Sequence, residues 1–393
     1  MNLVVIGTGM YVSGRGTDGF GTILPAIVEW KRNGGALEKV FLVGSSRQRG
    51  SESEKKFLAL QARAGVEIDF RSFPNKSENN PECYIQVLGD VSKPACSIVA
   101  VPDHLHYRVT KACLAAGHHT LVVKPLTPTV TEGKKLIDLA KANQLYGAVE
   151  FHKRWDRQIR ILRDEIQSGN LGVPLYTWTE YSQRKSIPAQ AFQRWVEKTN
   201  ILQYLGVHYI DVVRFATGAS PVRVLSIGQN SWLKGKGIDA LDAIQCLIEW
   251  VTPQGALFSQ TLLVNWVDPE NSSAMSDQKI KFVGTCGRYE GDQKERGVRL
   301  LSDQHHFEEP NPDFCRPYQS LNGELRWEGY GIDSIVSFLD DVSKILSGKR
   351  RPLDFEASRP TFSEALVSTA VVEAANRSLE NANVWQEIPI VEG

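Results

Sequence analysis

The feature that most constrains the fold of this chain is the alternation of short apolar runs with helical patterns over residues 1–152. The runs are rich in β-branched residues, whereas segments such as "HYRVTKACLAAG" carry apolar residues at helical spacing. This order predicts βαβ units in an α/β fold with a doubly wound parallel sheet, which binds ligands at the carboxyl ends of its strands. The predicted strands lie at residues 3–6, 39–46, 96–103, 119–125 and 146–152.

Residues 153–393 have a different texture and predict a second, α+β domain. After one helical pattern come longer segments such as "GALFSQTLLVNW", in which apolar and polar residues partly alternate. That pattern is typical of a sheet solvated on one face. Near the end, "GIDSIVSFLDDVSKILSG" and "SEALVSTAVVEAANRSL" predict amphipathic helices that flank the sheet or pack back on the first domain.

Composition excludes partners that are recruited by overall charge. The 393 residues contain 45 Lys plus Arg and 45 Asp plus Glu, so no global field attracts nucleic acid or an anionic membrane. The six cysteines are scattered without a CxxC pair, which predicts reduced, mostly buried thiols and no metal site. The N-terminus lacks a signal-peptide pattern and no run of ~18 apolar residues occurs, so we expect a cytoplasmic protein.

A glycine-rich loop, "GTGMYVSGRGTDGFG", follows the first predicted strand. Its first residues, Gly7, Thr8, Gly9 and Met10, suit a turn at which the backbone approaches the phosphates of a dinucleotide. The third small residue of GxGxxG would fall at Val12, so we interpret the following glycines as an insertion before the helix. The alternative is a glycine-rich surface turn that binds no ligand.

The second predicted strand ends in "VGSSRQR", without the carboxylate that would hold a ribose 2′-hydroxyl. Ser45, Ser46 and Arg47, with Arg49 nearby, offer hydroxyl groups and guanidinium groups that suit a 2′-phosphate. The sequence therefore favours NADP over NAD as cofactor, with NAD still possible. The alternative is that both arginines are solvated loop charges.

Two further blocks identify a resemblance. The segment "VAVPDHLHYRVTKACLAAGHHTLVVKPLT" (99–127) resembles the Gfo/Idh/MocA oxidoreductases, whose pattern has TPxxxH, then AGKHV, then EKP. The segment "YLGVHYIDVVRFATG" (204–218) is similar to the DxGxHxIDxxRxxxG pattern of the same family. Two departures stand out: Val123 occupies the place of the glutamate before Lys-Pro, and Tyr204 the place of the aspartate four residues before the histidine.

The resemblance implies a dinucleotide-binding Rossmann domain over residues 1–152 and a substrate-binding and oligomerisation domain with a large, mainly antiparallel open sheet over 153–393. It implies a homo-oligomer that associates through that sheet. By family position, Val101, Pro102, His106 and Lys124 contribute to cofactor binding.

The same resemblance gives Lys124, His208 and Tyr204 catalytic roles. Alcohol oxidation releases a proton as hydride leaves, so a donor–acceptor group is needed close to the substrate oxygen. A partly buried lysine has a lowered pKa and a histidine titrates near neutral pH, so both side chains suit this chemistry. On a helix, Tyr204 and Asp211 would share the face of His208, and Asp211 is interpreted as an orienting or structural group. The alternatives are a solvated lysine at a strand end, a core histidine and a packing tyrosine.

We therefore expect an oxidoreductase that moves hydride between NADP and a secondary alcohol or ketone of a small sugar, cyclitol or sugar derivative, without a metal. A non-catalytic dinucleotide sensor and an NAD-dependent redox glycosidase are the alternatives. The side chains predicted to contact the substrate are Arg154, Trp155, Arg184, Trp195 and Asn200.

Overall fold

The computed structural model describes residues 1–75, 79–303 and 305–391. Its first sheet contains six strands, all parallel, in the order β3-β2-β1-β4-β5-β6. The order reverses direction between β1 and β4, which confirms the predicted doubly wound sheet. The strands are β1 (Asn2–Ile6), β2 (Val40–Val43), β3 (Phe70–Phe73), β4 (Ala95–Val99), β5 (His119–Val123) and β6 (Gly147–Glu150).

Both faces of this sheet are covered by helices, and β1 and β4 are buried along their whole length. Such burial explains why these strands read as continuous apolar runs rather than as alternating patterns. The helices that accompany the sheet are α1 (Met10–Ser13), α2 (Ile23–Arg32), α3 (Arg47–Ala64), α4 (Cys83–Asp90), α5 (His106–Ala115), α6 (Val130–Ala142) and the later α9 (Tyr330–Leu346).

The second sheet contains seven strands in the order β12-β11-β7-β10-β9-β8-β17. Only the β7–β10 pair is parallel, so the sheet is mainly antiparallel, as predicted. Along β10, buried residues such as Leu262 and Trp266 alternate with partly exposed ones, which fits a sheet that is covered on one face. The strands are β7 (Pro174–Arg184), β8 (Ser220–Gln229), β9 (Ala243–Val251), β10 (Leu257–Asp268), β11 (Ser276–Gly284), β12 (Arg288–Asp292) and β17 (Gln386–Glu387).

Among the described residues, the other elements are three helices, two hairpins and several short turns. The hairpins pair β13 (Leu300–Ser302) with β14 (His305–Glu308) and β15 (Arg316–Gln319) with β16 (Leu325–Glu328). No helix among the described residues is long and apolar enough to cross a lipid bilayer. The helices are α7 (Arg157–Gln167), α8 (Val207–Thr217) and α10 (Phe362–Glu380).

The compact units of the chain differ from a simple division after residue 152. The first unit comprises Met1–Thr127, Thr131–Trp155 and Asp313–Ala365, and the second comprises Pro128–Val130, Asp156–Pro312 and the chain from Leu366 onwards. Residues 313–365, which the sequence placed in the second domain, thus return to the first unit. The functional roles of the two domains stay predictions.

Helix α9 holds the returning segment on the first unit. The Trp30 indole of α2 donates to the Asp340 carboxylate of α9 at 2.8 Å, and the Phe338 ring stacks on the Tyr146 ring at 5.7 Å between centroids. The Val149 amide of β6 donates to the Pro360 carbonyl at 2.8 Å. Of the two amphipathic helices predicted near the end of the chain, α9 is therefore one that packs back on the first domain.

Candidate functional site

The carboxyl edge of the parallel sheet gathers most of the candidate residues of the first unit. Strand β1 is followed by Gly7, β4 by the turn that contains Asp103, and β5 by Lys124, while β6 ends at Glu150. In open α/β sheets, ligands bind at this edge, next to the point where the strand order reverses. The strand order thus brings a glycine turn, a buried lysine and two buried carboxylates to one edge of the sheet.

The two glycines of the predicted phosphate turn are glycine for different reasons. Gly7 has a φ of +121°, and a Cβ atom there would lie 2.0 Å from the Ala100 carbonyl oxygen, so the protein itself excludes a side chain. Gly9 begins α1 with a φ of −78°, and a Cβ atom there would meet no protein atom within 4 Å. Space that the protein leaves open at Gly9 fits the close approach of a pyrophosphate to the backbone.

The inserted glycine loop folds against the first unit. Gly14 ends α1 in the left-handed conformation, and the Thr22 amide donates back to the Tyr11 carbonyl at 2.7 Å before α2 begins. The Lys56 ammonium of α3 donates to the carbonyls of Thr17 and Gly19 at 2.6 and 2.8 Å. The insertion therefore has defined anchors on α3.

The end of β2 carries hydroxyl and guanidinium groups, as the sequence predicted. Ser46 caps α3 by accepting a hydrogen bond from the Arg49 amide, and the Arg49 guanidinium donates to the Ser45 hydroxyl at 3.2 Å. Arg47 lies 3.7 Å from Glu54, and both side chains are more than one-third exposed. Arg47 and Arg49 thus add positive charge at the start of an 18-residue helix whose N-terminus itself favours anions.

Lys124 is buried, with 8% of its surface exposed, so the structure does not support a solvated lysine at a strand end. Burial lowers the pKa of Lys124 to about 8, while the carboxylates of Asp103 and Glu150 act in the opposite direction. Although Val123 occupies the place of the family's glutamate, two other carboxylates therefore act on the lysine.

Asp103 and Glu150 are the residues that sequence reasoning missed. Both are almost fully buried, at 3% and 2% exposure. The available signal was their position. Asp103 follows the apolar run "SIVAVP" and Glu150 follows "YGAV", so both lie towards the carboxyl ends of predicted strands, where ligands bind.

His106 is buried and lies between two turns of this edge. Its Nδ1 is 2.6 Å from the Pro125 carbonyl oxygen, and its Nε2 is 2.9 Å from the Val101 carbonyl oxygen. The Pro102 carbonyl accepts from the Leu105 amide at 2.8 Å. The imidazole therefore ties the turn after β4 to the residue that follows Lys124, and a role in cofactor binding would act through the shape of this turn.

In the second unit, His208 lies in α8. Two contacts, one of Gln260 and one of Gly206, hold this helix against the second sheet. The buried Gln260 amide donates to the Tyr209 carbonyl at 3.3 Å, which ties α8 to β10. A Cβ atom on Gly206 would lie 2.6 Å from Leu202 and 3.2 Å from Val264, so the glycine permits a close approach to the sheet. His208 is 2% exposed, and its ring centroid lies 6.4 Å from that of Tyr181.

Tyr204 lies in a π-helical turn, Leu202–Gly206, rather than in regular α-helix. Turns of this kind occur frequently at functional sites. The Tyr204 ring contacts Phe192, Trp195 and Trp266, with ring centroids 4.8 to 6.2 Å apart. Two predicted residues, Tyr204 and Trp195, are thus brought together in one aromatic cluster. Asp211, three residues after His208, is 1% exposed.

Three of the four remaining substrate candidates, Arg154, Arg184 and Asn200, have structural partners within their own units. In the first unit, the Arg154 guanidinium lies 3.3 Å from the Glu364 carboxylate, and Trp155 is half-buried. In the second, the Arg184 guanidinium donates to the Ser272 carbonyl. Asn200 donates to Asn376 at 2.8 Å and accepts from the Gln203 amide at 2.9 Å, so both ends of its amide are used.

Metal ligands are not clustered in the part of the chain that the structure describes: no group of three or more His, Cys, Asp or Glu side chains is placed to hold an ion. The cysteines are free thiols, four of them buried.

Two family models match the chain. The model of the oxidoreductase family with an NAD-binding Rossmann fold matches residues 1–151, and the model of the Gfo/Idh/MocA C-terminal domain matches residues 159–290. The two matches follow one another along the chain and together span more than half of it.

Curated relatives are similar over parts of their length. The scyllo-inositol 2-dehydrogenase (NADP(+)) of Bacillus subtilis is 34% identical over 119 residues, 29% of this chain and 32% of the relative. The D-glucoside 3-dehydrogenase of Escherichia coli is 24% identical over 205 residues, 50% of this chain and 57% of the relative. The matched stretches therefore cover from about a third to just over half of these relatives.

A solved structure is similar over almost the whole chain. The levoglucosan dehydrogenase in complex with NADH and L-sorbose aligns with a TM-score of 0.70 and 19% identity, covering 99% of each chain. This similarity concerns the fold.

The contrast between Gly7 and Gly9 predicts different effects of the same substitution. In Gly9→Ala the added Cβ fits the backbone and meets no protein atom, so we expect an unfolding temperature close to that of the wild type. Its affinity for NADPH or NADH should fall at least about tenfold, because the methyl group occupies the space of the phosphates. Calorimetry would measure both quantities.

Gly7→Ala is the matched control. Its Cβ would lie 2.0 Å from the Ala100 carbonyl oxygen, so it should lower the unfolding temperature by about 4 °C or more. If Gly9→Ala bound dinucleotide as tightly as the wild type, the phosphate turn would be misplaced.

Proposed function

Since the chain belongs to the Gfo/Idh/MocA oxidoreductase family, we propose that it transfers hydride between NADP and a secondary alcohol or ketone of a sugar, cyclitol or sugar derivative. The observation that carries this proposal is the buried lysine at the carboxyl edge of the Rossmann sheet, beside two carboxylates. Two curated relatives are named as dehydrogenases of an inositol and of a glucoside, and these names support the proposed substrate class.

A nicotinamide cofactor bound at this edge would accept or supply the hydride. The turn from Gly7 to Met10 would hold its phosphates, since Gly9 leaves the space and α1 and the turn supply backbone amides. Ser45, Ser46 and Arg47 would lie at the adenine ribose, at the end of β2.

Lys124 is proposed to bind the substrate oxygen that changes between hydroxyl and carbonyl. As an ammonium it donates a hydrogen bond to that oxygen, and as a neutral amine it accepts the hydroxyl proton when the alcohol is oxidised. With a pKa of about 8, both forms are populated near neutral pH. His208 of the second unit is the second proposed acid–base group, and Tyr204 contributes a hydroxyl within its aromatic cluster.

The open face of the second sheet is proposed to form a contact between copies of this chain. Tyr176, Ile227, Leu247 and Leu257 are 38% to 66% exposed, and the strand register places them on one face of the sheet. Exposed apolar patches of this kind mark interaction sites. A Leu247→Lys/Ile227→Lys variant should dissociate to a smaller species in sedimentation velocity; an unchanged mass would contradict the proposal.

Replacing Lys124 tests the proposed chemistry. Lys124→Ala and His208→Ala should each lower kcat/KM by about 10²- to 10⁴-fold, the range attributed to general acid–base groups, while NADPH still binds. The assay is the nicotinamide absorbance change with a panel of sugars and cyclitols. Lys111→Ala, an exposed lysine of α5, is the control.

The pH dependence of kcat/KM tests the same chemistry and has an expected direction. Burial lowers the pKa of Lys124 to about 8, so kcat/KM for alcohol oxidation should rise as pH increases through about 8 and the amine loses its proton. Lys124→Arg stays charged over this range and should lack the rise. If the protein binds dinucleotide but turns over no candidate sugar or cyclitol, the alternative of a non-catalytic dinucleotide sensor is favoured. If Lys124→Ala and His208→Ala both keep the wild-type turnover, the proposed mechanism is wrong.

Cofactor choice is tested at the end of β2. Ser45→Asp places a carboxylate where a 2′-phosphate would bind, so the dissociation constant for NADPH should rise at least about tenfold and that for NADH should not. Ser45→Asn, of similar size but uncharged, is the matched control. A wild-type protein that binds NADH more tightly than NADPH would overturn the preference for NADP.

A further inference from the structure

Glu150 is a buried acid that the chemistry proposed above does not yet use. It is the last residue of β6, and the parallel register pairs it with Val123, the last residue of β5. Side chains of paired residues point to the same face of a sheet. Glu150 therefore lies beside the strand end from which Lys124 continues.

Several groups hold the Glu150 carboxylate. His152 Nδ1 lies 3.1 Å from both carboxylate oxygens, and Ser334 Oγ of α9 lies 2.8 Å from Oε1. An ionised carboxylate only accepts hydrogen bonds, so Nδ1 carries the proton in the His152 contact. A buried charge is tolerated when donors satisfy it in this way.

The surroundings of His152 fix its orientation. Its ring lies 5.3 Å from Phe314, 5.6 Å from Tyr330 and 6.4 Å from Tyr11, measured between centroids. Burial, and then the charge of Glu150, raise the pKa of Tyr11 well above its usual value, so its phenol remains protonated. The Glu150 carboxylate thus lies close to weakly polar aromatic side chains, and in such surroundings its charge acts strongly on neighbouring groups.

We propose that Glu150 is a positioning residue for Lys124: its carboxylate, held by His152 and Ser334, keeps the ammonium in place and sustains its positive charge within the buried site. Asp103, from the turn after β4, has the larger effect of the two carboxylates, and Glu150 adds to it from the opposite neighbour of β5. The proposal rests on the function proposed for Lys124, although the charge relation between the two residues is a separate statement.

Several titratable groups face Lys124 and Glu150, and a pH experiment must distinguish their titration from that of Lys124. Around Lys124 they are Asp103, Glu150 and His106. Around Glu150 they are His152, Tyr11 and Lys124 itself, with Cys315 and Tyr330 next to Tyr11. Lysine-specific NMR separates Lys124 from all of these, since only lysine Cε signals are followed.

Glu150→Gln is the decisive variant. In the full-length protein without substrate, titration of the Lys124 Cε signal, assigned with Lys124→Arg, should show its pKa lowered by about one unit or more. The rise of kcat/KM with pH should move down by the same amount. Glu29→Gln, which removes another buried and hydrogen-bonded acid of the first unit, should leave the Lys124 titration unchanged.

Val123→Glu in the Glu150→Gln background provides the rescue. It returns a carboxylate to the same face through the paired position, so the pKa of Lys124 should return to within about half a unit of the wild-type value. The double variant keeps one acidic side chain at the paired positions 123 and 150. It therefore allows the test to be made even where the Glu150→Gln variant does not fold. A Lys124 pKa that stays a unit below that of the wild type in the double variant overturns the proposal.

An unchanged Lys124 titration in Glu150→Gln, or an equal shift in Glu29→Gln, also overturns it. If the wild-type protein oxidises no sugar or cyclitol but the Lys124 titration shifts as expected, the charge relation stands and the proposed function fails. The two hypotheses are thus separated by one set of variants.

Discussion

The structure of the first unit depends on one physical requirement: the ammonium of Lys124 is buried and must be compensated. Removing a charge from water costs several kcal/mol unless partners are present. Asp103, in the turn after β4, and Glu150, at the end of β6, provide the compensation from either side of β5. Glu150 in turn is held by Ser334 of α9, and the neighbouring His152 packs on Phe314 and Tyr330. Residues 313–365 thus supply part of the surroundings of the Glu150 carboxylate.

The glycine turn imposes a second constraint at the same edge. Because a Cβ atom at Gly7 would overlap the Ala100 carbonyl, the turn after β1 can pass this close to the segment after β4 only with glycine in place. This turn lies at the point where the strand order reverses, and at Gly9 a Cβ atom would meet no protein atom within 4 Å. The two constraints have different origins, one steric and one electrostatic, yet both act at the carboxyl edge of one sheet.

Much of this arrangement could be predicted from sequence because apolar periodicity is strong where burial is complete. Strands β1, β4 and β5 and helices α5, α9 and α10 follow the predicted segments. Strand β3, "FRSF", was not found, since it is only four residues long and partly exposed, and the polar helix α3 shows little amphipathic pattern. The partners of Lys124 were missed because they come from positions 21 residues before it and 26 after it, and only the register of three neighbouring strands joins them.

The two departures from the family pattern differ in their physical consequences. Loss of a carboxylate at Val123 is compensated on the adjacent strand, since Glu150 occupies the paired position and faces the same way. At Tyr204 the replacement lies among Phe192, Trp195 and Trp266, an aromatic setting that favours packing of the ring. A phenol is a weaker acid than a carboxyl group, so the Tyr204 hydroxyl proposed for this site would exchange its proton over a higher pH range than an aspartate would. Lys124 and His208 are therefore the main acid–base groups of the proposed reaction, and the charge that Glu150 contributes to the lysine gains weight accordingly.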